Sequence, residues 1–345
     1  MERTLPDTIA RILRNPVTGV FAALLAAGSI TSGYSATLTF QDIINTADPT
    51  FNQELGINNS GLIAGYFGSG GPGFPNQGYT VGPPYTSFTP ENYPGSVQTQ
   101  VTGLNNIGTT VGFWSDTNMG PGLDNNFGFV DIGGTFTNVN NPATATTPPV
   151  FNQLLGVNDS NIAVGFYTDA GGNTHGYTYN IAATTFSANI DDPSAVGNTT
   201  AAAINNSGEI AGFYTDAGGT FHGFIDNGGT FTTLDAPGAM DTTLLGLNNL
   251  GQAVGFDVDA AMQMHGIICT IATSSCVQVD DPKGIGTTTF NGINDKGQIV
   301  GFYVDAGDNT IGLLANPVPE PAAGALMLGG LIGLGLTRIR RRRVS

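Results

Sequence analysis

Short apolar runs separated by polar turn residues fill the middle of this chain. One stretch is representative, with strand-like runs at 230–234, 242–247, 252–257 and 265–270 and turn-forming residues between them. Between the two ends of the chain, no long stretch has the 3.6-residue apolar spacing of an amphipathic helix. The pattern therefore predicts an all-β fold of many short strands with almost no helix.

One turn motif recurs six times along this region. It consists of an apolar residue, Asn, two further turn residues and usually Gly, and a short apolar strand follows it. The six copies start at Ile57, Leu104, Val157, Ile204, Leu247 and Ile293. The spacings between them are 43 to 53 residues. A regular period of about 47 residues indicates a repeat fold.

Four strands in each unit match the blade of a β-propeller better than the coil of a solenoid. The longest link in a unit lies between its first and second strands, so we expect each blade to begin at the second strand. With that phase, the strand at 37–44 would pair with the last blade and close the ring, which removes exposed sheet edges. Residues 37–316 are thus predicted to form a six-bladed propeller.

The N-terminal segment, residues 1–36, has the features of a signal peptide. Arg3, Arg11 and Arg14 precede an apolar run at 17–30, and small residues follow at 31–36. The alternative is an uncleaved N-terminal anchor, for which the run is short.

The C-terminal segment, residues 317–345, combines a Pro-Glu-Pro motif, an apolar stretch at 322–336 predicted to be a helix, and an arginine-rich tail. It resembles the PEP-CTERM sorting signal of Gram-negative bacteria. The residues that carry the resemblance are Pro319, Glu320, Pro321, Arg338, Arg340, Arg341, Arg342 and Arg343. The resemblance implies recognition by an exosortase-type membrane enzyme, removal of the tail, and release to the cell surface or the extracellular space. The alternative is a plain C-terminal membrane anchor.

The repeats themselves resemble the extracellular HAF family, whose units carry a Gly-Ile-Asn-x-x-Gly-x-Ile-x-Gly core and a His-Ala-Phe element. Residues 203–212 and 292–301 show the core. The His element departs from the family pattern, because Gly follows His175, His222 and His265, and three units lack the His. The family has no settled activity, so the resemblance supports the architecture and not a reaction.

Charge is distributed very unevenly. Residues 36–316 carry 23 acidic side chains against only Lys283 and Lys296, a net charge of −21. Nucleic acids and anionic membrane surfaces are poor partners for such a domain, because like charges repel. Cations, neutral glycans and basic proteins remain as partner classes.

The candidate chemistry has a structural alternative in each case. The three histidines occupy one equivalent position in neighbouring units, so packing or hydrogen bonding explains them better than metal ligation. The acidic pairs at 191–192 and 280–281 lie in a repeated element before or at proline, which favours a turn over acid–base catalysis. Turn formation also accounts for a repeated aspartate, although its carboxylates would suit calcium. This aspartate is found at Asp169, Asp216, Asp259 and Asp305.

Cys269 and Cys276 are the two cysteines of the chain. They flank a predicted hairpin turn, and an exported protein meets an oxidising environment, so we expect a disulfide. Two thiols are too few for a structural zinc site. No catalytic motif is recognisable, and we assign no catalytic residue, metal ligand or cofactor, with calcium as an open alternative.

The sequence therefore predicts an exported, exosortase-sorted surface or matrix protein with a non-enzymatic binding propeller. Association with exopolysaccharide is an expectation taken from the sorting-signal resemblance. The alternatives are a polysaccharide lyase or glycosidase on the same scaffold, and a calcium-dependent binder of glycans or proteins. An active site would have to break the six-fold pattern, and the clearest breaks are insertions at 68–78 and 115–126.

Overall fold

Residues 37–318, which a computed structural model describes, form six four-stranded antiparallel sheets arranged as a ring. The first strands of neighbouring sheets contact one another around the central axis. This is the predicted six-bladed β-propeller, and the described residues contain no α-helix.

The strands of each blade follow one another from the innermost to the outermost. Blade 1 contains β2 (Asn52–Ile57), β3 (Ile63–Phe67), β4 (Gln77–Val81) and β5 (Phe88–Pro90). Blade 2 contains β6 (Gln98–Leu104), β7 (Thr109–Ser115), β8 (Phe127–Ile132) and β9 (Thr135–Val139). Blade 3 contains β10 (Asn152–Val157), β11 (Ile162–Thr168), β12 (Thr174–Asn180) and β13 (Thr185–Phe186).

The second half of the ring repeats this plan. Blade 4 contains β14 (Thr199–Ile204), β15 (Ile210–Thr215), β16 (Phe221–Asn227) and β17 (Thr230–Thr233). Blade 5 contains β18 (Asp241–Leu247), β19 (Gln252–Val258), β20 (Met264–Thr270) and β21 (Ser275–Gln278), with a 3₁₀ turn at Ile271–Thr273. Blade 6 contains β22 (Thr289–Ile293), β23 (Ile299–Val304), β24 (Thr310–Pro317) and, as its outermost strand, β1 (Leu38–Ile43).

Strand β1 closes the ring. It pairs antiparallel with β24, from Leu38 opposite Pro317 to Ile43 opposite Gly312. Beyond the strands, the Val318 amide donates to the Thr37 carbonyl at 2.8 Å. The predicted blade phase is therefore confirmed: the start of the described chain supplies the last strand of the last blade.

Alternating strand directions give the ring two different faces. On one face lie the Asn-containing turns between the first two strands of each blade and the hairpins such as Gly228–Gly229; we call it the Asn-turn face. On the other face lie the turns between the second and third strands and the links between blades; we call it the link face.

The hydrophobic core lies between neighbouring blades. In one cluster, Ile225 of blade 4 packs with Leu244 and Ile267 of blade 5, all at most 4% exposed. At the closure, Ile43 of β1 is buried together with Ile57 of blade 1. Each sheet therefore buries its apolar face against the next sheet, which explains why one unit would not be stable alone.

Cys269 and Cys276 lie directly opposite each other in the β20–β21 pair and are joined as a disulfide, with a Cα–Cα distance of 4.0 Å. The signal segment at 1–36 and the sorting residues from Pro319 onward lie outside the described residues, so those assignments stay predictions. Within residues 37–318, no helix has the length and apolar character needed to cross a membrane.

Candidate functional site

The first asparagine of each repeat motif belongs to a closed ring of hydrogen bonds around the axis. Its Oδ1 accepts from backbone amides of its own turn, as Asn105 does from Ile107 and Thr109. Its Nδ2 donates to the backbone carbonyl of the equivalent asparagine in the next blade, at 2.9 to 3.4 Å. The ring consists of Asn58, Asn105, Asn158, Asn205, Asn248 and Asn294. The asparagine that marks the repeat in the sequence thus shapes its turn and joins the blades.

The next residue of each motif forms a second ring. Each backbone amide donates to the side-chain Oδ1 of the equivalent residue in the following blade, at 2.7 to 2.9 Å. Asparagine occupies four of these positions, and Asp159 and Asp295 occupy the other two, in blades 3 and 6 on opposite sides of the axis. Each of these carboxylates also accepts Nδ2 hydrogen bonds from the asparagines on both sides. Partial burial would raise the pKa of both aspartates, but these hydrogen bonds outweigh it and lower the pKa.

Two cavities of about 70 Å³ each lie on the axis among the described residues. The first is lined by the two polar rings and the apolar residue before them in each motif. The second is lined by the inner strands, where Gly occupies five of six equivalent positions and Ala203 the sixth. A Cβ atom on Gly56 would lie 3.2 Å from the Gly103 Cα, so the small residue permits the close approach of these strands. Both cavities are lined by equivalent residues from all six blades.

On the link face, each of the three histidines lies between two carboxylates. Nδ1 faces an aspartate of the following link, at 3.0, 2.7 and 2.7 Å in blades 3, 4 and 5. Nε2 faces the aspartate of the turn before its own strand, at 3.3, 3.5 and 3.6 Å. We call these groups the Asp–His–Asp clusters; they are Asp169–His175–Asp191, Asp216–His222–Asp235 and Asp259–His265–Asp280. In blades 4 and 5, a carboxylate at each ring nitrogen favours the doubly protonated imidazole, because the positive ring is attracted to both acids.

The electrostatics of these clusters agree with that geometry. Partial burial alone would lower the pKa of His222 and His265, but hydrogen bonds and charges from their aspartates outweigh it and raise the pKa above its usual value. Hydrogen bonds from the Asn173 backbone and side chain lower the pKa of Asp169 to about 2. The pKa of Asp216 is lowered as well, first through the Thr220 amide.

The repeated turn aspartates shape their turns, as the sequence indicated. In each, Oδ1 accepts from the backbone amides two and four residues later, as Asp305 does from Gly307 and Asn309 at 2.8 and 2.9 Å. The four aspartates lie on the same face, but each keeps its own neighbours. Across residues 37–318, no three His, Cys, Asp or Glu side chains converge in a way that would hold a metal ion.

The adjacent aspartates in the links point to different partners, which confirms the turn interpretation for Asp192 and Asp281 only. Asp191 faces His175, whereas Asp192 caps the amide of Ser194 at 2.8 Å. Asp281 makes the same turn contact with Lys283, while Asp280 faces a histidine. Neither pair flanks a common space where a glycosidic bond would fit.

The two insertions form neighbouring loops on the link face of blades 1 and 2. Gln98 joins them, because its side chain accepts from the Asn76 amide and donates to the Thr117 carbonyl. Trp114 stacks on Tyr93 with ring centroids 4.5 Å apart, and its Nε1 donates to Asn138. This tryptophan is thus engaged in packing between β7 and its neighbours.

The sequence interpretation missed two features. It did not recognise the link aspartates as histidine partners, although aligning the units shows Asp there only in the three units that contain His. It also missed Glu54, a fully buried acid on the inner strand of blade 1. The signal available in the sequence was that the equivalent positions of the other inner strands carry apolar residues.

No family model matches the chain, and no curated protein does either. Among solved structures, TolB from Acinetobacter baumannii is 11% identical, with a TM-score of 0.47 over 79% of this chain and 66% of that one. The fucose-binding Aleuria aurantia lectin is 11% identical, with a TM-score of 0.46 over 79% and 99%. An ulvan lyase, from a new family of polysaccharide lyases, is 13% identical, with a TM-score of 0.40 over 77% and 78%. The assignment of six blades rests on the sheets of residues 37–318 themselves, and these likenesses bring no function to the chain.

Proposed function

We propose that this protein is an exported cell-surface or matrix protein whose propeller binds a partner and does not catalyse a reaction. The observation that carries the proposal is the equivalence of the residues around the axis. Both axial cavities are lined by residues at equivalent positions of all six blades, and apart from Thr102, Asp159 and Asp295 these are apolar residues, Gly or Asn. A catalytic centre needs different groups placed around one reacting bond, whereas equivalent rings are typical of a scaffold.

The charge of the propeller narrows the class of partner. The two lysines stand against 23 acidic side chains, and Lys283 pairs with Asp42 at 2.6 Å. Polyanions are therefore disfavoured, and a neutral or weakly charged extracellular polysaccharide fits better. The resemblance of the C-terminal segment to an exosortase signal supports the same setting.

The sorting part of the proposal is tested in the producing bacterium. Replacing Pro319, Glu320 and Pro321 together by alanine should abolish release, so that the protein stays with the membrane fraction and keeps its arginine tail. The exposed link residue Pro193 provides the control, and Pro193→Ala should be released like the wild type. Mass spectrometry of the released and retained proteins reads out the processing. Release of the triple variant with normal processing would contradict the proposal.

The binding part is tested with the processed, released protein. We expect it to co-sediment with exopolysaccharide purified from the same bacterium, and to leave the length of the polymer unchanged. Repeating the assay with calcium and with a chelator tests the calcium-dependent alternative. Absence of binding refutes the proposed partner, and the appearance of new polysaccharide ends indicates an enzyme.

A further inference from the structure

The histidine-containing units differ from the others in a second position. Where the second residue of strand three is His, the link that follows carries aspartate: Asp191, Asp235 or Asp280. In the units without His, the equivalent link residues are Ile44, Asn92 and Asn140, which lie beside Ile311, Gln77 and Phe127. Aspartate at this position therefore occurs together with histidine throughout the ring.

Capping of the backbone does not require the negative charge. Asn92 and Asn140 accept hydrogen bonds from the amides of Gly78 and Gly128. Asp235 and Asp280 accept the same bonds from Gly223 and Gly266 through Oδ1 and use Oδ2 for the histidine. Since asparagine already suffices for the cap, the carboxylate serves the imidazole.

Each cluster ties three separate segments of the link face together. The turn aspartate belongs to the connection between strands two and three, the histidine to the start of strand three, and the second aspartate to the link into the next blade. We propose that the Asp–His–Asp clusters of blades 4 and 5 form a pH-sensitive latch that holds the turns and links of these blades together while the imidazoles are protonated. When an imidazole loses its proton, one of its nitrogens can no longer donate, and a lone pair then faces a carboxylate.

The surroundings of the histidines are acidic or aromatic. Tyr167 and Tyr214 pack on His175 and His222, with ring centroids 5.3 and 5.2 Å apart. Asp241 accepts from the amide of Phe221, the residue before His222. In blade 5, Asp257 occupies the position of these tyrosines and adds a further negative charge beside His265. Within the described part of the chain, none of these neighbours supplies a positive charge to compete with the imidazolium.

The direction of the switch follows from the raised pKa of His222 and His265. A group whose pKa is higher in the folded than in the unfolded protein stabilises fully below the unfolded value of about 6.5 and loses this effect as the pH rises through the folded value. The lowered pKa of Asp169, Asp216 and Asp259 keeps their carboxylates charged to well below neutral pH. The latch is therefore closed below the usual histidine pKa of about 6.5 and opens as the pH rises through the raised pKa of His222 and His265.

Blade 6 supplies an internal reference for the experiment. Its turn at 305–309 has the same aspartate and the same backbone hydrogen bonds as the turn at 216–220, but no histidine. Hydrogen exchange of the processed protein is measured between about pH 6 and pH 9, with rates corrected for intrinsic exchange. We expect protection of the turns at 216–220 and 259–263 to fall by about three- to tenfold relative to 305–309.

The matched variant exchanges Asp235 and Asp280 for asparagine, the residue found in blades 1 and 2. It should keep the backbone caps at Gly223 and Gly266 but remove the difference between the clustered turns and 305–309. The chain has three histidines, so their pKa values can be followed by NMR, and those of His222 and His265 should fall in the variant. Should the double variant fail to fold, the single variant Asp235→Asn is measured in the turn at 216–220. Equal protection of clustered and reference turns at every pH would overturn the proposal.

Discussion

At the level of single residues, the most unusual position is Glu54. Its counterparts at the same place on the other inner strands are Val101, Leu154, Ala201, Leu244 and Phe290. Its Oε1 accepts from the Tyr79 hydroxyl at 2.7 Å, while Oε2 has no hydrogen-bond partner among the described residues. Burial raises the pKa of this carboxyl to about 8, although the Tyr79 hydrogen bond opposes the rise. Glu54 is therefore protonated in the folded protein at neutral pH.

This acid should make the propeller less stable as the pH rises. Because its folded pKa exceeds the ordinary value of 4.5, its contribution to stability is complete below that value and is lost as the pH rises towards 8. We expect Glu54→Gln, which cannot ionise, to gain on the order of 3 kcal/mol relative to the wild type between pH 4.5 and pH 7. Chemical denaturation at several pH values measures this difference.

Glu209→Gln makes the same substitution at a partly exposed position and separates the effect of burial from that of the substitution itself. If the free-energy difference between Glu54→Gln and the wild type is the same at pH 5 and pH 8, Glu54 does not carry the buried proton inferred for it.

Single residues were the scale at which the sequence interpretation was least complete. It identified the three histidines and the turn aspartates, and it preferred packing or hydrogen bonding for the histidines; the clusters show hydrogen bonds to aspartate. The link aspartates were seen only as turn residues, because their distance from the histidines, 13 to 16 residues, depends on how the strands pair. Strand pairing is a long-range property that residue types alone do not define.

At the level of elements, the Asn-containing turn is the most informative unit. Asn248 is 3% exposed, accepts from the amides of Leu250 and Gln252, and donates to the carbonyl of Asn294 in the next blade. Its neighbour Asn249 is exposed. Asn248 thus makes a buried hydrogen bond between blades, whereas Asn249 belongs to the ring that faces solvent.

We expect Asn248→Ala to lower the free energy of unfolding by about 2–4 kcal/mol, because buried backbone groups lose their partners. The same change at Asn249 should cost less than about 1 kcal/mol, since water can replace its bonds. Urea denaturation of both variants measures the contrast. Equal losses would show that the inner ring does not hold the blades together.

The strands were predictable because each unit repeats the same turn residues between them. The runs at 242–247, 252–257 and 265–270 correspond to β18, β19 and β20 within about one residue at each end. The outermost strands vary more, from the two residues of β13 to the six residues of β1. An outer strand pairs on one side only, so its length depends on local packing that the repeat does not encode.

At the level of the whole molecule, stability depends on the closure by β1. Ile43 is 1% exposed and packs with residues of blades 1 and 6. Ile43→Ala should cost about 2–5 kcal/mol, through lost apolar contact and the cavity that remains. Thermal unfolding followed by circular dichroism measures the loss.

The same substitution at an exposed position distinguishes loss of ring closure from the general effect of replacing Ile by Ala. Ile132 on β8 is 49% exposed, and Ile132→Ala should change stability by less than about 0.5 kcal/mol. A similar melting temperature for the two variants would mean that β1 is not needed to hold the ring closed.

The ring as a whole could be predicted because its period, strand count and closing strand are all local or repeated features. The partner could not be predicted, because the repeated residues determine how the blades pack together and do not determine the chemistry of the exposed surface. The export and sorting predictions concern residues outside 37–318 and depend on sequence motifs alone.

The pairing of β1 with β24 also determines the face from which the chain leaves the propeller after Val318. Strand β24 starts at Thr310, next to a turn of the link face, and ends at Pro317 on the opposite side, where the Val318 amide meets Thr37. Any tether attached through Val318 therefore leaves from the Asn-turn face. The Asp–His–Asp clusters therefore lie on the face of the propeller opposite that attachment point.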